Sequence, residues 1–194
     1  MENLQPKDSL AIIEAVISER KKKYEENGFL FIFWGILVIL AGILQFLMLW
    51  LDFQPKMSGL VWAILMPLGF IYTFIVKMKE DKNAQKKGKT TDWAGYLWLV
   101  TGIIAMFGGF FQTHANTTLL MIYIPMTIAS LSTALQLKNR LWVTTSTIAI
   151  PLIYSSLYID YGYFSPLVSS VLAFLIFLLP GFQLYTDFKK RNNV

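Results

Sequence analysis

The sequence predicts an all-α integral membrane protein: six spanning helices arranged as three tandem αα-hairpins, preceded by an amphipathic interfacial helix. Three observations carry that prediction. Gly28 to Trp50 reads GFLFIFWGILVILAGILQFLMLW, without a single charge. A hydrocarbon core ~30 Å thick needs about 20 helical residues rising ~1.5 Å each, and this run is long enough. Five further apolar segments of similar length follow, at 58–76, 93–112, 117–137, 141–159 and 166–186. Finally, the basic residues fall on one side of the predicted spans, as the topology requires.

Composition agrees. The 194 residues are 55% hydrophobic and 15% charged, where soluble domains average about 25% charged. That leaves little material for a domain outside the membrane. With no cysteine, disulfides, thiolate catalysis and Cys-ligated metals are excluded. MENLQPKDSL lacks a basic stretch leading into an apolar core, so the first span is expected to act as its own insertion signal.

The chain divides into residues 1–27, a membrane domain over 28–187, and a basic cytoplasmic tail over 188–194. From Asp8 to Asn27, Leu10, Ile13, Val16 and Ile17 recur at helical spacing, opposite Glu14, Glu19 and the Arg20–Lys23 cluster. This pattern predicts an amphipathic helix in the cytoplasmic headgroup region, with a docking helix for a partner protein as the alternative. A cytoplasmic N-terminus puts every basic residue except Lys56 on the inner side, which is the bias that orients short-looped membrane proteins. The same asymmetry accounts for the net charge of +5 through topology and anionic lipid, so no nucleic-acid partner is expected.

An internal repeat organises the spans. Aligning Gly28 with Gly95, an offset of 67, brings Gly35 onto Gly102, Gly42 onto Gly109 and Gln45 onto Gln112. Phe31 falls on Trp98, and Leu141-Trp142 of the fifth span repeats Leu97-Trp98. The even spans carry Pro67, Pro125 and Pro180, each removing one helical hydrogen bond and predicting a kink. Glycines every seventh residue form one stripe on a supercoiled helix, where they let two backbones approach closely. Gly28, Gly35, Gly42, Gly95, Gly102 and Gly109 are therefore expected to pack the first span against the third. Same-sense hairpins relate by an axis along the membrane normal.

ERKKKYEENGF, and the FWG that follows in the opening of the first span, are similar to the corresponding part of small multi-span bacterial inner-membrane proteins. The resemblance covers chiefly the first 50 residues. It implies a plasma-membrane location and no particular activity.

Chemistry has few footholds. The six segments contain no Asp, Glu, Lys, Arg or His. Proton relays and carboxylate coupling thus lack candidate residues at depth. Neutral polarity remains: Gln45, Gln112 and Gln183 are the candidates for a polar pocket between helices, alongside many Ser and Thr whose hydroxyls ordinarily return to the helix backbone. His114, Asp52 and Asp160 lie on separate loops without ligand spacing, so no metal or other cofactor is expected. Trp50, Trp62, Trp93 and the tyrosines around Asp160 read as interfacial anchors. No phosphate loop, nucleophile elbow or metalloprotease motif is present, and no enzymatic activity is expected. Two functions stay open. One is association with itself or a membrane partner; the other is a small transporter or sensor that binds a neutral or apolar ligand between helices.

The orientation has a direct test. A cysteine placed at Thr113 should react with an impermeant thiol reagent on intact cells, and one at Asn83 should not. External labelling at Asn83 inverts the topology.

Overall fold

The computed structural model describes residue 12 and residues 28–84, 93–110 and 114–192. The predicted interfacial helix (Ile12 aside), residues 85–92 of the lysine-rich connection, Gln112 and the last two residues lie outside them. Among the described residues the chain is helical and has no strand. The order is α1 (Gly28–Trp50), a 3-10 turn (Pro55–Met57), α2 (Leu60–Ala84), α3 (Trp93–Phe110), α4 (Ala115–Gln136) and α5 (Arg140–Ser155). A second 3-10 turn (Gly162–Phe164) then leads to α6 (Ser165–Ala173), a π-helical stretch (Phe174–Leu178) and α7 (Leu179–Asn192). The last three form one continuous final helix.

Four of these helices are long and apolar enough to cross a membrane: α1, α2, α4 and the final helix. Of the other two predicted spans, α3 is helical as far as the described residues reach, and α5 comes out shorter. α3 is described to Phe110. α5 has 16 residues and stops at Ser155, where Ser156, Leu157 and Tyr158 turn back onto the carbonyls of residues 153–155. α1 coincides with its predicted limits. α2 instead runs on through Lys77 and Lys79 to Ala84, and α7 carries the supposed tail to Asn192.

Tight turns close α1 and α4. Phe53 N–H bonds Met48 O at 2.9 Å and Asn139 N–H bonds Ala134 O at 3.0 Å, each capping the helix end. The residue between takes positive φ, Asp52 at 51° and Lys138 at 50°. Asn139 then caps α5 by accepting Trp142 N–H at 3.1 Å.

The glycine stripe packs differently from expectation. A methyl at Gly28 would meet Leu184 Cβ at 3.1 Å, and one at Gly35 would meet the Leu178 backbone at 3.0 Å. At Gly42 it would overlap Ser170 Oγ and Pro166 O. All three partners lie on the final helix. In return, a methyl at Gly181 would stand 2.8 Å from Ile32 N. On α3, a methyl at Gly102 would meet the ring edge of Phe70, on α2, at 3.0 Å. The seam therefore joins first span to last. A period of seven marks the face that packs, and carries no information about the neighbour.

α2 and α4 continue unbroken through Pro67 and Pro125, and Pro151 inside α5 breaks the association of prolines with even spans. Pro180 follows the π stretch, where Leu179 N–H reaches back to Phe174 O.

Repeat-equivalent aromatics converge in the core. Phe31 packs edge-on against Trp98 at 5.4 Å and Trp142 at 5.1 Å between ring centroids. Indole N–H groups then tie helices together. Trp34 donates to Thr73 Oγ1 at 3.0 Å, and Trp98 to Thr133 Oγ1 at 3.0 Å. Each threonine passes its own proton to the carbonyl four residues back, Gly69 or Ala129. One hydroxyl thus serves as donor within its helix and acceptor across to the next. Trp142 donates to Ser130 Oγ at 2.7 Å, which also pairs with Ser146 Oγ at 2.8 Å.

Gly35 and Gly102 have different partners, so their effects should be independent. Gly35→Leu must displace backbone, whereas Gly102→Leu need only turn a ring. The first should cost ~1–3 kcal/mol and the second less, as melting temperatures in detergent. The double variant should be additive. A strong coupling between them would mean that α1 and α3 meet directly.

Candidate ligand cavity

Helix α2 holds on to α1 and touches α3 only sparsely, while α3–α4, α4–α5 and α1–final helix pack along much of their lengths. Only 6% of the apolar window of α2 is buried, against 50% in the final helix. Behind this thinly attached helix lies a cavity of about 270 Å³. That is close to the lower end of the ~300–1,000 Å³ range of small-ligand sites.

The cavity runs lengthwise through one half of the bundle. Leu49, Gly59, Ala115 and Gly162 rim it where the 51–59 and 156–164 connections gather. Trp34, Phe70, Met126 and Phe177 form its floor. From Trp34 to Leu49 along α1 is ~22 Å at ~1.5 Å per residue. Val38, Met66, Leu119 and Ile122 line the sides, so the walls are mostly aliphatic and aromatic. No charged residue is among them.

Polar groups are few, and most are engaged. Tyr123, buried in α4, donates its hydroxyl to Ser169 O at 3.0 Å. Thr118 and Ser165 return theirs to His114 O at 3.1 Å and Gly162 O at 2.6 Å. Gln45 is half-buried and accepts Trp62 Nε1–H at 2.6 Å. An indole can only donate, so the amide oxygen must be the atom facing it. The Gln45 NH₂ then remains, with no protein acceptor among the described residues. One residue past Trp62, the Ala63 carbonyl lacks its ordinary helical donor, because residue 67 is proline.

The candidate glutamines do not come together. Gln45 lines the cavity; Gln183, on α7, does not, and its buried Oε1 has no donor among the described residues. Gln112 lies outside the described residues. Gly95, on α3, is not among the residues that line the cavity. Trp62, read from sequence as an interfacial anchor, turns inward to Gln45, while Trp50 and Tyr158 stay exposed. An amide within an otherwise apolar run signals a partner nearby, and that was the available clue to Trp62. Among the described residues no three His, Cys, Asp or Glu side chains gather as metal ligands. Asp160 instead accepts Gly162 N–H at 3.1 Å.

No protein-family model matches the sequence, and comparisons with curated proteins and with solved structures gave no match.

Proposed function

We propose that the chain is a non-enzymatic, multi-pass protein of a bacterial inner membrane that binds a neutral, largely apolar small molecule between its helices, as a small transporter or sensor. The observation that carries this reading is the uncharged, mostly apolar cavity behind α2. The engaged state of nearly all its polar lining supports an apolar occupant. The six-span reading, as three hairpins with both termini cytoplasmic, is supported by the basic-residue asymmetry and by the meeting of Phe31, Trp98 and Trp142, equivalent positions of the repeat. Anionic lipid is the expected neighbour of the cytoplasmic face.

A second reading, association with itself or with a membrane partner, rests on the exposed apolar flank of α2, where Ile64, Leu68, Ile71 and Phe74 project outward. Lipid covers such a flank equally well, and the cavity gives the ligand reading its advantage.

Ala105→Phe fills the cavity from α3 and tests the choice. Native mass spectrometry of the wild type extracted from membranes should show a retained neutral adduct, absent from the variant. The variant should melt no lower than wild type. A wild type without adduct, together with a variant destabilised by ~1–3 kcal/mol through overpacking, would indicate a closed, dry bundle and favour association.

A further inference from the structure

Resting on the ligand reading above, we infer that the cavity takes a single-chain neutral lipid whose head carries both a hydroxyl and a carbonyl oxygen, and that Gln45 and Ala63 recognise that head. The cavity is a long apolar slot; besides the Ser169 hydroxyl on the final helix, its unengaged polar groups lie on α1 and α2. Gln45 offers N–H donors, their direction set because its oxygen is held by Trp62 at 2.6 Å. Ala63, whose carbonyl Pro67 deprives of a donor, also lines the cavity, from α2, and offers an acceptor. A carbonyl oxygen answers the first and a hydroxyl the second. Without a cation or anion in the lining, a phosphate, carboxylate or ammonium head would be buried without a counter-charge, so charged lipids are disfavoured.

The entry route follows from the same packing. A chain can pass from the bilayer between α2 and α3, where contacts are sparse, without disturbing the glycine seam or the α3–α4–α5 wall. Gly102 against the Phe70 ring makes that seam a contact with a movable side chain.

The test uses purified full-length protein in lipid-free detergent micelles. Trp34 and Trp62 line the cavity, so a monoacylglycerol brominated on its chain should quench their fluorescence. Unbrominated monooleoylglycerol should reverse the quenching about five- to ten-fold more effectively than an alkane of equal length, the worth of one or two net hydrogen bonds. Gln45→Leu with Trp62→Phe removes both members of the hydrogen bond and leaves neither unpaired. It should retain quenching of Trp34 and lose the preference. If the wild type shows no preference, or the double variant keeps it, the head-group assignment is overturned while the cavity stands. Ala105→Phe should abolish saturable quenching. If quenching persists unchanged there, the chain binds only the lipid-facing surface, and both the assignment and the ligand reading fall.

Discussion

Everything in this fold is arranged around a backbone-to-backbone seam between the first helix and the last. At Gly35 an added methyl would stand 3.0 Å from the Leu178 backbone, and at Gly181 it would stand 2.8 Å from Ile32 N. Each helix thus contributes a glycine that the other fills. Inside a membrane, helices gain nothing from escaping water, so close dispersion contact and cross-helix hydrogen bonds have to hold them. Ser170 supplies such a bond at the seam, reaching Ile39 O at 3.3 Å as well as its own helix at Pro166 O. The π stretch lies within this contact, and Leu178, which meets Gly35, is its last residue. With Pro180 unable to donate, the wider ladder keeps Leu179 N–H paired where a regular helix would be interrupted.

From that seam the rest hangs by indole clasps. Trp98 and Trp142 reach α4 from α3 and α5, and both rings rest on Phe31 of α1. A buried indole left without an acceptor would be unfavourable by ~1–3 kcal/mol, so Thr133 and Ser130 restrict the register of their neighbours as well as filling space. The clasp on α2, Trp34 to Thr73, lies nearer the surface, and α2 is accordingly the helix with the least burial.

How much of this was legible follows from what each signal encodes. Length and apolarity located α1 to the residue, because hydrophobic thickness acts directly on a continuous run. They overestimated α5, where the chain from Ser156 to Tyr158 is apolar in part yet turns back on itself. Lysines made residues after 76 look like loop, although Lys77 and Lys79 sit comfortably on the exposed end of a helix. The glycine period identified a packing face and misassigned its partner, since repeat symmetry relates α1 to α3 without requiring them to touch. Gly69, which fits beneath Trp34, and Gly181 stand in the near-repeated stretches PLGFIYTF and PGFQLYTDF, a likeness that does not say which helix each would meet. Gln45 was visible as an amide in an apolar run. Trp62 was not, because tryptophan near a span end anchors to the interface as readily as it turns inward.

An empty space behind α2 would be hard to reconcile with that economy of packing. α2 could close the space by sliding inward, yet Trp34, Leu37 and Phe70 already press against Gly69 and Gly102 at contact distance. The Trp34 and Phe70 rings that pack at these glycines also line the cavity.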